Sequence, residues 1–180
     1  MVDNTGCETY GPVRASRARR LGLKAVLIAA GMLALSQTIV LAQSTDTTAG
    51  QTEYGQTCVA CHQDTGQGIP GTFPPLAGTV PLFLQKGDKG RRTLEDIVVF
   101  GMTGAVTIDG TDYNGTMVTW GKVLDDQQIS DVLNYVAQAW GNDKQLHKDF
   151  KPFTPAEIKQ VRGDDLTPAQ TLELRNKLGL

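Results

Sequence analysis

The segment TCVACHQ, residues 57–63, constrains this chain more than any other part of its sequence. Cys58 and Cys61 are separated by two residues, and His62 follows the second thiol directly. This trio has three chemical interpretations: half of a zinc site, a redox-active dithiol, or a point of covalent haem attachment. Each interpretation requires a different surrounding sequence, so the rest of the chain can be compared with each requirement.

The zinc interpretation needs four ligands in a tetrahedral arrangement. Apart from Cys7, the chain offers two cysteines and two histidines, and the second histidine is His147, in a polar segment far from His62. A Cys2His2 site is therefore possible in number and poor in spacing, because the usual second pair of ligands is close-set.

The dithiol and haem interpretations differ in the role that they give to His62. A thioredoxin-like dithiol has a strand before the motif and a helix after it, whereas here the predicted helix comes first and the imidazole has no task. In haem attachment, Cys58 and Cys61 bond to the two vinyl groups on one edge of a porphyrin and His62 binds the iron. We favour this interpretation because it uses all three residues.

The first 42 residues are predicted to be an export signal. Basic residues between Arg14 and Lys24 precede the apolar run 25–35, and the small-residue ending indicates cleavage after Ala42. A retained membrane anchor is the alternative, although polar residues 36–38 interrupt the apolar run that a spanning helix needs. The protein is therefore expected in the periplasm, or anchored to the membrane if the segment is retained.

The charge of the chain bears on its partners. The full sequence has a formal charge of −2, and removing the five basic and two acidic residues of the signal leaves 12 basic against 17 acidic residues, a charge of −5. An acidic domain is a poor ligand for nucleic acid. We expect redox protein partners that present a basic docking surface, and contact with a membrane only if the N-terminal segment is retained.

The remaining sequence predicts a mainly α-helical domain over residues 43–142, followed by a C-terminal extension, residues 143–180. A short helix is expected over residues 50–61, with the cysteines at its end. The segment 63–92 is rich in Gly and Pro and is expected to be a loop, with the charges of KGDKGRR either solvated or forming a docking patch.

Beyond that loop, a helix is expected to begin at Thr93 as N-cap. The pair Asp109-Gly110 suits the type I′ turn of a small β-hairpin. Residues 114–121 are expected to be irregular.

Capping signals predict three further helices. Asp125 and Gln128 form a capping box ahead of an apolar series at helical spacing, and the helix is expected to end at Gly141. Thr154 and Thr167 each precede proline and have Glu or Gln at the box position, which predicts two helices in the extension.

Several residues together give the chain a family resemblance over residues 48–142. They are Gly50, Tyr54, CVACH at 58–62, Pro74, Leu76, Gly78 and DVLNYVAQAWGN at 131–142. With these features the chain resembles a class I cytochrome c, of the type associated with periplasmic oxidoreductases. The resemblance implies the class I cytochrome c fold, in which short helices enclose one covalently attached haem c with its iron.

The resemblance also implies roles for individual residues. Gly50 and Tyr54 would lie where the first helix crosses the last core helix, packed by Val132, Tyr135 and Val136. In the haem pocket, the carbonyl group of Pro74, or failing that of Pro75, would accept the free ring N–H of His62, and Leu76 would contact the ring.

The second axial ligand has three candidates: Met102, Met117 and His147. Met102 is expected to fill the core, and His147 to be solvated. The sequence YNGTM resembles the family's YNxxMP setting of the axial methionine, which implies Met117 as the ligand, although Val118 stands where the family often has proline. Three nearby polar residues are expected either to reach the haem propionates or to pack at the pocket rim: Tyr113, Asn114 and Trp120.

The resemblance implies a one-electron carrier with His/Met axial ligation, not an enzyme. The alternative is a haem subunit or docking module dedicated to one periplasmic dehydrogenase or reductase, in which the extension, residues 143–180, is an interface and not a packed part of the domain. A third possibility, an open-site haem enzyme, requires that Met117 does not bind the iron.

Overall fold

The computed structural model describes residues 47–180. The expected export signal and Cys7 lie outside the described residues. The described chain is mainly helical, with one two-stranded sheet. Its elements are α1 (Thr47–Thr57), α2 (Val59–His62), α3 (Val80–Leu84), α4 (Gly87–Phe100), β1 (Met102–Ile108), β2 (Thr111–Met117), α5 (Asp126–Gln138), α6 (Pro155–Val161) and α7 (Pro168–Lys177), with 3-10 turns at Ala139–Gln145 and Arg162–Asp164.

The crossing of α1 and α5 depends on the absence of a side chain at Gly50. A Cβ atom there would lie 2.1 Å from the carbonyl oxygen of Asp131 and 2.7 Å from Cβ of Tyr135. One turn later, the Tyr54 ring lies 5.5 Å from the ring of Tyr135 and 5.0 Å from that of Trp140. The crossing that the resemblance implied is therefore confirmed.

Helix α5 begins as predicted and ends earlier than predicted. Both hydrogen bonds of the capping box between Asp125 and Gln128 are present. The last helical residue is Gln138, because Ala139 is extended, with a ψ of 160°, and Trp140 and Gly141 then adopt positive φ angles of 56° and 85°. A left-handed residue cannot continue an α-helix, so the chain turns before the predicted end.

The expectation of a loop over residues 63–92 is wrong for its second half. Helix α3 occupies part of this segment and α4 begins at Gly87, so Thr93 lies inside α4, where its hydroxyl donates to the Lys89 carbonyl. Gly90, one of the glycines that suggested a loop, has a packing role. A Cβ atom on Gly90 would lie 1.8 Å from the Phe83 carbonyl oxygen. Tertiary proximity outweighs the poor helix propensity of this residue.

The hairpin is present and longer than predicted. Asp109 and Gly110 form its turn with φ angles of 48° and 74°, as a type I′ turn requires. Pairing continues to Met102 opposite Met117, so residues 114–117 are strand where an irregular segment was expected. Main-chain hydrogen bonding to β1 satisfies the backbone of the Asn-Gly sequence despite its low strand propensity.

The C-terminal extension forms the two predicted helices and packs on the rest of the domain. Thr154 and Thr167 cap α6 and α7, each with a complete capping box. Phe153, Ile158 and Val161 are buried in the same core cluster as the apolar face of α5. No helix within residues 47–180 has the length and hydropathy needed to span a membrane.

Candidate functional site

The CVACH motif occupies a single turn that follows α1. The main-chain N–H groups of Cys61 and His62 both donate to the Cys58 carbonyl, at 3.2 and 2.9 Å. This turn places Cys58 and Cys61 along one side of the chain, and both are free, half-buried thiols that line one cavity. Burial raises the pKa of the Cys58 thiol, against a hydrogen bond from Thr57 that lowers it.

His62 is buried and also lines this cavity. Its Nδ1 atom lies 2.9 Å from the carbonyl oxygen of Pro74. Because a carbonyl only accepts, Nδ1 carries the proton, which leaves the lone pair of Nε2 available to a metal ion. Burial lowers the pKa of His62, with the Pro74 hydrogen bond acting in the opposite direction, so the imidazole is held in the neutral form that coordinates metals.

The loop after the motif holds the Pro74 carbonyl in place. Gly68 has a φ of 65°, and its N–H donates to the His62 carbonyl at 3.0 Å. A Cβ atom on Gly68 would lie 2.3 Å from the Phe73 carbonyl oxygen and 2.7 Å from that of Pro74. Gly68 therefore lets residues 73 and 74 of the loop approach closely enough for the Pro74 carbonyl to reach His62.

The hairpin forms another wall of the cavity, because alternate residues of each strand point to it. From β2, Tyr113, Gly115 and Met117 line the cavity, joined by Thr116 at the end of the strand, while Asn114 is exposed and does not line it. Asn114 was predicted at the cofactor, and the structure does not bring it to the cavity. Successive side chains of a strand point to opposite faces, so Asn114 lies on the face opposite to Tyr113 and Gly115.

Two of the three candidates for a second iron ligand line this cavity. Met102 of β1 pairs with Met117 across the hairpin, and both line the cavity wall. Met102 also packs against the core, as expected. His147 lies elsewhere, on a different cavity beside Phe150 and Arg91.

The cavity has the chemistry that a haem needs, and part of it is open to solvent. Its walls are mostly apolar, and none of the Asp or Glu residues within 47–180 lines it. Pro74, Pro75, Leu76 and Trp120 line it as well. Two thiols, one neutral imidazole and apolar walls fit a flat, covalently attached porphyrin.

The zinc and dithiol interpretations gain no support from the described residues. Residues 47–180 contain no group of three or more His, Cys, Asp or Glu side chains placed to hold a metal ion together. The dithiol interpretation gives His62 no role, whereas His62 lines the same cavity as Cys58 and Cys61.

Sequence reasoning missed two residues that shape the site. Arg175 of α7 lines the cavity, although it lies more than 100 residues after the motif. Asn142 is fully buried, accepts from the Gly78 N–H at 2.7 Å and donates to the Leu76 carbonyl at 3.2 Å, which fixes the loop that carries Leu76. Asn142 ends a segment that carries the family resemblance, but sequence reasoning assigned neither residue a role, since both act on partners distant in the chain.

Comparison with known proteins agrees with this site. The cytochrome c family model matches residues 47–140. Cytochrome c-552 of Thermus thermophilus is 48% identical over 127 residues, which cover 71% of this chain and 94% of that protein.

Two other relatives are cytochrome subunits of larger proteins. The gluconate 2-dehydrogenase cytochrome c subunit of Pantoea cypripedii is 26% identical over 69% of this chain and 26% of its own length. The cytochrome c subunit of a quinone alcohol dehydrogenase from Gluconobacter oxydans is 32% identical over 53% of this chain and 19% of its own length. From the family match and the Thermus relative together, the chain belongs to the cytochrome c family: it is an electron-transfer protein that carries haem c, and not an enzyme.

Proposed function

We propose that this protein is a one-electron carrier whose haem iron is bound by His62 and Met117. The observation that carries the proposal is the convergence of four side chains on one cavity: the thiols of Cys58 and Cys61, the imidazole of His62 and the thioether of Met117. In this assignment the thiols hold the haem covalently and the two other side chains are its axial ligands.

The surroundings of the two proposed ligands suit electron transfer. Pro74 fixes the orientation and protonation of His62, and Met117 belongs to a strand paired along its length with β1. Ligands held in this way move little when an electron is gained or lost, which keeps the reorganisation on transfer small. A histidine and methionine ligand pair also raises the reduction potential of the iron.

The ferric absorption spectrum of the holoprotein tests the ligand pair. With Met117 on the iron, the wild-type protein shows the thioether-to-iron charge-transfer band and binds carbon monoxide slowly in the reduced state. Met117→Ala loses the band and binds carbon monoxide rapidly. Met102→Leu is the matched control, since it alters the neighbouring thioether on the same wall, and it retains the band. Loss of the band in Met102→Leu with retention in Met117→Ala would overturn the assignment.

We also propose that the protein works after export, with partners that carry a basic docking surface. Removal of residues 1–42 leaves the chain with a formal charge of −5, which steers it toward basic surfaces and away from nucleic acid. Mass spectrometry of the protein purified from periplasm and membranes tests the export proposal. A chain that begins near residue 43 and carries one added haem supports it, and an intact N-terminus recovered from membranes supports the anchored alternative.

A dedicated subunit is the second candidate function. The relatives from Pantoea and Gluconobacter are subunits of dehydrogenases, whereas the Thermus relative, which this chain matches at 48% identity, is a cytochrome c-552. Purification of the native protein under mild conditions distinguishes the free carrier from the dedicated subunit. Elution at the mass of a single chain supports the free carrier, and co-elution in fixed ratio with one dehydrogenase or reductase supports the subunit.

A further inference from the structure

The segment that follows Met117 is anchored on the end of α4. An α-helix leaves its last four carbonyl groups without donors from its own backbone. Residues 119–121 supply hydrogen-bond donors to three of these carbonyl groups, those of residues 98–100. The pairs are the Trp120 N–H to Val98 at 3.1 Å, the Gly121 N–H to Val99 at 3.0 Å, and the Thr119 hydroxyl to Phe100 at 3.0 Å.

Two glycines let the backbones of this segment and of α4 lie close together. A Cβ atom on Gly121 would lie 2.6 Å from the Val99 carbonyl oxygen. Gly101, directly after α4, has a φ of 76°, and a Cβ atom there would lie 2.5 Å from the carbonyl oxygen of Met117. The end of α4 therefore contacts the main chain of the residue whose side chain lines the haem cavity.

Arg162 of the C-terminal extension holds the same segment from another side. Its guanidinium donates to the carbonyl groups of Gly121 and Leu124, and also to Oδ1 of Asp126, the first residue of α5. The Gly121 peptide group is therefore bound twice, through its N–H by α4 and through its carbonyl by Arg162. Val161, the residue before Arg162, is fully buried in the core, which fixes the point from which the arginine side chain extends.

We propose that Arg162 and Thr119 are positioning residues for the axial methionine, which keep the Met117 thioether on the iron by fixing the segment after it. Val118, the next residue, is 57% exposed, so burial does little to hold the chain there and the hydrogen bonds beyond it carry the constraint. A ligand on a fixed segment stays at a high effective concentration beside the metal. The proposal rests on the assignment of Met117 as a ligand.

The test is the rate at which cyanide binds to the ferric holoprotein when cyanide is saturating. Cyanide reaches the iron only after the methionine thioether has left it, so this rate measures how often the ligand dissociates. The variants are Arg162→Gln, Arg162→Lys and Thr119→Val, with Asp164→Asn as the matched control. Asp164 lies in the same 3-10 turn as Arg162, and its ion pair is with Arg92 of α4.

For Arg162→Gln we expect cyanide to bind about tenfold faster, because charge-assisted hydrogen bonds to two main-chain carbonyl groups are lost. Thr119→Val removes one neutral hydrogen bond and should speed binding about fivefold. Arg162→Lys keeps the charge but not the forked set of donors, so its rate should lie between those of Arg162→Gln and the wild type. Asp164→Asn should bind cyanide at the wild-type rate, since ion pairs this exposed contribute little.

A purely structural role for Arg162 gives a different result. Arg162→Gln would then lower the free energy of unfolding, measured by chemical denaturation, and leave the cyanide rate unchanged, which overturns the proposal. Equal acceleration in Asp164→Asn also overturns it. Fast binding in Met117→Ala with unchanged binding in Arg162→Gln overturns the positioning role alone, whereas a wild-type rate in Met117→Ala overturns the ligand assignment as well. If Arg162→Gln fails to fold, the near-isosteric Thr119→Val decides by the same outcomes.

Discussion

Asn134 of α5 and Phe153 of the extension exchange two buried hydrogen bonds. The side-chain amide of Asn134 donates to the Phe153 carbonyl at 2.9 Å, and the Phe153 N–H donates to Oδ1 of Asn134 at 2.7 Å. Arg91 of α4 lies over the same phenyl ring, 3.9 Å from its centroid. These contacts make the extension part of the core and not an appendage.

Replacing Asn134 with alanine should therefore loosen the extension. The change leaves both the N–H and the carbonyl of Phe153 buried without partners, which should lower the free energy of unfolding by about 2 to 4 kcal/mol. Chemical denaturation of the holoprotein measures the loss. Asn114→Ala is the control, because Asn114 is exposed on β2, and it should change stability little. Equal losses in the two variants would contradict this role of Asn134.

A pair of glycines on α1 tests the helix crossing. Gly50→Ala places a methyl group against the backbone of α5, at 2.1 Å from the Asp131 carbonyl oxygen, with no flexible side chain to yield. We expect a loss of about 3 kcal/mol in the free energy of unfolding. Gly55 lies on the same helix with nothing within 4 Å of its Cβ position, so Gly55→Ala should leave stability unchanged or raise it by about 1 kcal/mol. Thermal unfolding that ranks the two variants the other way would refute the crossing.

Substitutions at two glycines of the loop after the motif distinguish the effect of backbone strain from the effect of ligand positioning. Gly68 and Gly71 both have positive φ angles, but only Gly68 is crowded, by the carbonyl groups of Phe73 and Pro74, whereas the nearest atom to a Cβ on Gly71 lies 4.0 Å away. Both alanine variants should lose about 1 kcal/mol from strain.

The Gly68→Ala variant should in addition shift the midpoint potential, because the carbonyl that orients His62 must move. Potentiometry of the two holoproteins checks this difference. An unchanged potential in Gly68→Ala would mean that the Pro74 hydrogen bond is not set by this loop.

Glu95 gives the stability of the protein a dependence on pH. The side chain is buried on α4 and its Oε1 has no hydrogen-bond partner, although Arg91 lies 3.6 Å away. Burial raises the pKa of Glu95 from 4.5 to about 7, with Glu157 and Asp96 adding to the increase and Arg91 and Arg92 opposing it. The folded protein therefore holds a proton that the unfolded chain has already released.

From this sign, the contribution of Glu95 to stability is full below about pH 4.5 and is lost as the pH rises to about 7. Glu95→Gln should remove that loss and be more stable than the wild type by about 2 kcal/mol at pH 8, with a smaller difference at pH 5. Denaturation at the two pH values measures it. Glu173→Gln, an exposed change on α7, should give no such difference. A difference in stability between Glu95→Gln and the wild type that does not vary with pH would contradict the assignment.

Local signals in the sequence predicted the local structure well. The capping boxes at Asp125, Thr154 and Thr167 formed as expected, because each depends on a side chain and a backbone group three residues apart. The Asp109-Gly110 turn formed for the same reason. The prediction was wrong at Gly90, where a glycine allows α3 and α4 to approach closely and does not mark a loop.

By itself, the sequence determined the cofactor chemistry of this protein, because two thiols and an imidazole within five residues already contain the attachment site and one proposed iron ligand. It also determined where several helices begin. The tertiary structure decided which distant residues complete the site: the carbonyl group of Pro74 on His62, the two methionines on one wall, and Arg175 from the last helix. Such contacts join residues far apart in the chain, and only the packing of the helices and the hairpin around a common cavity brings them within reach.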